Sequence, residues 1–195
     1  MNAHMTRFLD PRMLLAIVAA VVVGTASAAH SAVISYTATL SGPNESPPNA
    51  SPGTGSTQVD VDAAAHTMHV HVVFSGLLGN TTASHIHAAT AVAGTGTAGV
   101  ATTTPTFAGF PLGVTSGTYD NTLDLTQASS YNPSFVTAHG SVAGAEAFLI
   151  QSIADGKAYL NVHSSVNPGG EIRGFLTLPT PAVPMSWGRI RALYR

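Results

Sequence analysis

The chain has 195 residues, no cysteine and a formal net charge of −2 at pH 7, and only 8% of its residues are charged. Between residues 29 and 178 the fixed positive charges are Lys157 and Arg173 alone. Nucleic-acid phosphates and anionic membrane surfaces are bound by clustered Lys and Arg, so this composition makes both poor candidates as partners. Because no thiolate is available, histidine is the strong transition-metal ligand that remains.

The first residues have the pattern of a secretory signal. Arg7 and Arg12 precede an apolar run at 13–24. Residues 26–28 (ASA) have the small-x-small form of a signal-peptidase site. The apolar run is shorter than the roughly 20 residues that span a bilayer as a helix. We therefore expect residues 1–28 to be a cleaved signal peptide, and the mature protein to be secreted or periplasmic with no membrane span.

Short runs that alternate apolar and polar residues dominate the mature chain and predict β-strands. The first is AVISYTATL at 32–40, and the runs at 56–63 and 66–77 predict a hairpin. The second strand of this hairpin has an expected core face of Met68, Val70, Val72 and Phe74. His69 and His71 lie on its other face and are expected to be solvated.

One helix is predicted, at 141–156, where alanine-rich helix formers end at Gly156. Many short strands with one short helix predict an all-β domain at 32–178, built as an antiparallel sandwich or barrel. Residues 179–195 are punctuated by proline and then basic, and we expect them to form a C-terminal tail outside the domain.

Three histidines are candidate metal ligands. His85 and His87, in the segment SHIHA, share one face of a predicted strand because side chains at i and i+2 point the same way. His163 lies on the polar face of the strand at 158–164. Neutral imidazole suits copper and zinc, so these side chains predict a copper or zinc site if they meet. His139 is a candidate fourth ligand.

A metal-free interpretation of the same histidines stays open. In it, His85 and His87 are exposed strand residues and His163 completes a turn by bonding to the backbone. The two interpretations differ in their pH dependence. Imidazoles lose a proton to bind metal, so a metal site predicts an affinity that falls as the pH drops through about 6.5.

Glu171 and Arg173 share a face of the last predicted strand. They predict either a surface ion pair, which contributes little to stability, or a hydrogen bond to His163 that orients its ring. The register of the closing hairpin decides between the two.

Three segments together resemble the CHRD domain, a module named after chordin, in the form found in secreted bacterial proteins. They are LSGPNESPP at 40–48, SHIHAA at 84–89 and GKAYLNVHSSVNPGGEIRGFL at 156–176, of which the last is the most specific. The resemblance covers 33–178 and departs from the family pattern at 87–103. It implies an immunoglobulin-like antiparallel β-sandwich with one short helix and an extracellular binding role.

Three functions follow from these observations. The first is a binding module for a protein or extracellular matrix partner, with copper or zinc on His85, His87 and His163. The second is a dismutase-like redox enzyme at that site, because Cu/Zn superoxide dismutase also pairs a His-x-His strand with a later histidine on a sandwich. The third is a metal-free structural or adhesion domain. Without a nucleophile elbow, phosphate loop or carboxylate pair, the sequence favours a binding protein over an enzyme.

Overall fold

The structure is a computed structural model that describes residues 32–179. The predicted signal peptide and the tail beyond residue 179 lie outside this range. Within it, the strands are β1 (Ile34–Ser41), β2 (Thr54–Asp62), β3 (Thr67–Ser75), β4 (Thr81–His87), β5 (Gly117–Asp124), β6 (Tyr159–Ser164) and β7 (Ile172–Phe175). The α-helices are α1 (Pro133–Ala138) and α2 (Val142–Ala154).

The strands of the described range form one seven-stranded sheet in the order β4-β6-β7-β1-β2-β3-β5, with antiparallel neighbours throughout. The sheet is curled. Near one end, edge strand β4 is hydrogen-bonded to the segment that precedes the other edge strand, β5, since the Thr81 N–H donates to Val114 O (2.8 Å) and the Gly113 N–H to Thr81 O (2.9 Å). The predicted antiparallel β class is confirmed, whereas an immunoglobulin-like pair of packed sheets is not.

Side-chain alternation decides which face of the sheet is buried. The predicted core face of β3 is confirmed, because Met68, Val70, Val72 and Phe74 are all buried. Helix α2 contributes Ala145, Leu149 and Ile153 to the same apolar core. One face of the sheet is therefore covered by the core, and the polar residues of the strands project from the other face.

The predicted helix is confirmed as α2, and its ends follow the expected chemistry. Ser141 caps the first turn by accepting a hydrogen bond from the Gly144 N–H (3.0 Å). Gly156 follows the C-cap with a φ of +66°, a left-handed conformation that favours glycine. Neither helix of residues 32–179 is long and apolar enough to cross a membrane.

Helix α1 is a second α-helix, whereas the sequence pattern predicts only one. Asn132 caps it by accepting a hydrogen bond from the Ser134 N–H (3.1 Å), and Pro133 occupies its first position. Asn followed by Pro is a known start signal for a helix. The helix has only 6 residues, so its apolar periodicity is too short to stand out in the sequence.

Candidate metal centre

The pairing of β4 with β6 brings the three candidate histidines together. In their antiparallel register, Ala83 lies opposite His163 and His85 lies opposite Asn161. Side chains at i and i+2 share a face, so His85, His87 and His163 project from the same side of the sheet. The residues that alternate with them enter the core. The local patterns place each histidine on a face, and the strand pairing makes them neighbours.

Ring nitrogens of the three histidines converge on one point. One such atom from each ring lies within 4.8 Å of the other two. The Nε2 atoms of His85 and His163 are 3.0 Å apart. Two imidazoles that bind one ion at about 2.0–2.1 Å, and at about a right angle, have nitrogens ~3 Å apart. The observed separation therefore suits two ligands of one shared ion.

Each imidazole is held by a backbone carbonyl at its other nitrogen, Nδ1. The pairs are His85 with Pro105 (3.0 Å), His87 with Ala98 (2.8 Å) and His163 with Pro168 (2.9 Å). A carbonyl oxygen can only accept, so each Nδ1 carries the proton and donates it. In a neutral ring the Nε2 atom then keeps its lone pair. Hydrogen bonding of this kind orients the histidine ligands of known metal sites.

The donor set fits a metal cation. Two Nε2 lone pairs, those of His85 and His163, face each other at 3.0 Å. The Nε2 atom of His87 is buried and has no hydrogen-bond partner among the described residues. Opposed lone pairs and an orphaned buried acceptor are both unfavourable in a low-dielectric site. One ion bound to the three nitrogens relieves both.

Burial keeps these imidazoles neutral. It lowers the pKa of His85 to about 3, with further lowering from His87 and His163. It lowers the pKa of His87 to about 4 and also lowers the pKa of His163. A buried cation is penalised because the protein interior solvates charge poorly. At neutral pH the three lone pairs are therefore free of protons and available to a metal.

His139 lies elsewhere in the structure. It forms the C-cap of α1, and its ring stacks on Phe148 at a centroid separation of 4.0 Å and meets Phe135 edge-on at 4.5 Å. The converging group of ligand atoms comprises the other three candidates and does not include it. Its prediction as a fourth ligand came from a segment that the sequence could not place.

Glu171 and Arg173 take neither of the roles that the sequence suggests. Glu171 is fully buried and accepts hydrogen bonds from the Ser51 hydroxyl (2.6 Å) and the Leu78 N–H (2.5 Å). The nearest carboxylate oxygen to Arg173 Nε belongs to Glu45, at 3.8 Å. His163 is oriented by the Pro168 carbonyl instead. The Glu171 carboxylate therefore connects the segments that contain Ser51 and Leu78. It forms no surface ion pair with Arg173.

Tyr159 is a neighbour of the centre that sequence reasoning did not single out. Its ring stacks on His87 with centroids 4.6 Å apart and an interplanar angle of 10°. Its hydroxyl also accepts a hydrogen bond from the Ala98 N–H (3.3 Å), in the segment whose carbonyl holds His87. The period-2 pattern of β6 places Tyr159 and His163 on one face and could have identified it. The carbonyl partners had no sequence signal, because every residue has a carbonyl.

The family model of the CHRD domain matches residues 36–176 of this chain. No curated protein and no solved structure matches the sequence of this chain. The matched range covers more than two thirds of the chain and contains all three converging histidines together with the hairpin of β6 and β7. The chain therefore belongs to the CHRD domain family.

Proposed function

We propose that this protein is an exported CHRD-domain binding module that holds one copper or zinc ion through His85, His87 and His163. One observation carries the proposal: three ring nitrogens converge while each Nδ1 donates to a backbone carbonyl. This combination leaves three lone pairs with no partner other than a cation.

The ligand chemistry favours copper or zinc over harder cations. Calcium and magnesium prefer oxygen ligands, whereas neutral imidazole suits copper and zinc. Three protein ligands also leave at least one coordination position for a further ligand. His163 is only partly buried, which supports access to that position from solvent.

The leader pattern supports the proposed location. Arg7, Arg12, the apolar run at 13–24 and the ASA tripeptide at 26–28 are typical of a signal peptide. We propose that the mature protein is secreted or periplasmic and is of the secreted bacterial CHRD type. Its partner would be an extracellular protein or matrix component, in keeping with a surface poor in positive charge.

The strand inventory supports a relationship to immunoglobulin-like domains. The simplest immunoglobulin sandwich has seven antiparallel strands, and the described range has the same number and orientation. We propose that the curled sheet is a variant of that sandwich in which hydrogen bonding continues from one layer to the other.

The direct test is metal content and stoichiometry. The mature chain, stripped with a chelator, is titrated with Zn²⁺ and with Cu²⁺ by calorimetry, and the protein purified without added metal is analysed for its elements. We expect one ion per chain for the wild type and for a His69→Ala/His71→Ala control. Binding that persists in an H85A/H87A/H163A variant would place the ion elsewhere, and no binding by the wild type would overturn the proposal.

A further inference from the structure

A cleft of about 660 Å³ opens on the same face of the sheet as the histidines, two strands from β4. Its walls come from β1, the loop that follows it, residues 94–96 and β7. The residues that matter for its chemistry are Thr39, Asn44, Glu45, Thr95, Arg173 and Phe175. Pockets of roughly 300–1,000 Å³ are the usual size for small-molecule sites, so the cleft is large enough for one.

Arg173 gives the cleft a buried positive charge. It is only 4% exposed. It is also one of just two fixed positive charges between residues 32 and 178. Its Nε donates to Asn44 O (2.5 Å) and its Nη1 to Gly96 O (3.0 Å). These bonds hold the two loops and use two of the five N–H groups of the guanidinium. Burial of a cation is costly unless an anion accompanies it.

Glu45 does not neutralise this charge well. Its Oε2 lies 3.8 Å from Arg173 Nε, longer than a hydrogen bond, and its buried Oε1 has no hydrogen-bond partner among the described residues. Burial raises the pKa of Glu45 to about 7, although the Arg173 charge opposes the rise. Among the described residues, Arg173 and Tyr159 are the charged or titratable groups that interact with this carboxyl. Near neutral pH a protonated fraction of Glu45 leaves the guanidinium without a counter-ion.

We propose that this cleft binds a small organic molecule through a carboxylate group, with Arg173 as its cationic partner. A guanidinium matches a carboxylate through paired N–H donors. A phosphate is less suitable because it brings up to two negative charges against one cation beside Glu45. Phe175, Pro43 and Pro48 add an apolar wall for the rest of the ligand. The proposal does not depend on metal binding.

Tyr159 connects the cleft with the candidate metal centre. The Arg173 guanidinium lies 4.7 Å from the centroid of the Tyr159 ring, and the same ring stacks on His87. In the strand order β6 lies between β4 and β7, so the tyrosine separates the histidine from the arginine. A bound carboxylate would therefore lie one aromatic ring away from a metal ligand.

The test is calorimetry on the mature chain with four probes at pH 6.5. The probes are lactate, galacturonate, galactose and inorganic phosphate. Both carboxylates should bind, and neutral galactose should bind at least 10-fold more weakly than galacturonate. Equal binding of lactate and galacturonate identifies a simple organic acid as the ligand, and tighter binding of galacturonate identifies a sugar acid. Tighter binding of phosphate or of galactose, or no binding of either carboxylate, overturns the proposal.

Variants of the cleft locate the site. Thr39 is exposed on β1 and lines the cleft, so Thr39→Trp fills it, whereas Thr122→Trp places the same ring on β5 as a matched control. We expect at least a 10-fold loss of carboxylate binding for T39W and none for T122W. Arg173→Met should cause a similar loss, with its melting temperature measured to check folding. Unchanged binding in T39W would place any bound carboxylate elsewhere and refute the assignment.

A pH series tests the part of Glu45. Carboxylate binding by the wild type should tighten as the pH falls from 8 to 6, because protonation of Glu45 removes a competing negative charge. In the isosteric Glu45→Gln variant the affinity should stay constant over that range. An equally steep pH dependence in E45Q would show that Glu45 plays no part.

Discussion

The molecule contains two His-x-His strands with opposite electrostatics. His85 and His87 on β4 are 6% and 9% exposed, and burial lowers the pKa of each. His69 and His71 on β3 have side chains 36% and 39% exposed, and both bond to the Asp120 carboxylate, at 2.9 and 2.7 Å. The hydrogen bond to Asp120 raises the pKa of His69. The same tripeptide pattern therefore contains buried, neutral imidazoles on β4 and exposed imidazoles bonded to a carboxylate on β3.

The strand that pairs with each His-x-His strand determines the surroundings of its histidines. Strand β4 faces β6, which supplies a third histidine, and loops that supply carbonyl acceptors cover the rings. Strand β3 faces β5, which places Asp120 directly opposite His71. The Asp120 carboxylate stabilises the imidazolium form of His69, so protons compete with a metal at that ring. A His-x-His pair thus acquires metal-binding character from what the fold places across from it.

The largest expected effect is on metal affinity. His163→Ala removes one of three ligands and should weaken Zn²⁺ binding by about 100-fold or more, since even loss of an outer-shell partner costs 10–100-fold. His139→Ala, remote from the converging nitrogens, should change the affinity by less than twofold. Calorimetry on both variants measures this. A loss in H139A as large as that in H163A would restore His139 as a ligand.

The next effect concerns the metal-free protein in acid. His85 and His87 have pKa values in the folded state of about 3 and about 4, below the unfolded value of about 6.5. The unfolded chain therefore binds more protons, and stability is lost as the pH falls below about 6.5. At pH 5 the loss is on the order of 2 kcal/mol for each histidine.

Urea unfolding of chelator-treated protein at pH 7 and pH 5 measures that loss. In the His85→Gln variant the side chain cannot titrate. The free energies of unfolding at pH 7 and pH 5 should therefore differ less than they do in the wild type. The linkage for His69 has the opposite sign: its pKa is raised, so it contributes stability below about pH 6.5 that is lost as the pH rises through its folded pKa. An H85Q protein with an undiminished acid loss would contradict the contrast between the pairs.

A smaller effect is expected for the pH dependence of metal binding. Ordinary histidines would lose affinity as the pH drops through about 6.5. Because the pKa values of His85 and His87 lie near 3 and 4, protons do not compete with metal until the solution is much more acidic. Zn²⁺ affinity should change less than threefold between pH 7 and pH 6, whereas a tenfold fall over that interval would show that the apo site titrates normally.

The smallest effect is local to the exposed pair. Asp120→Asn removes the carboxylate whose hydrogen bond is the largest cause of the raised pKa of His69. The pKa of His69 should then fall toward its ordinary value, as followed by the ring proton shifts in NMR. Metal affinity at the other pair should not change, because Asp120 is not among the converging ligands. If the pKa of His69 stayed raised in D120N, Asp60 rather than Asp120 would be the cause of the shift.

Part of the candidate site was predictable from local pattern. The i, i+2 spacing places His85 and His87 on one face, and the alternation in β6 places His163 on its polar face. The capped, alanine-rich segment that became α2 was predictable in the same way, from Ser141 at its start and Gly156 at its end. Helix α1 was missed because a helix of fewer than two turns gives no periodic signal.

The sequence by itself determined the compositional limits, the strand-rich class, the faces of the strands and the family. These depend on short-range periodicity and turn residues, which act within a few positions. The tertiary structure alone decided that the strands form one curled sheet, that β4 pairs with β6, and that Arg173 lies beside Glu45 rather than Glu171. The last two of these outcomes join residues 70 or more positions apart. Strand order and register depend on the packing of the whole core, which no local pattern records.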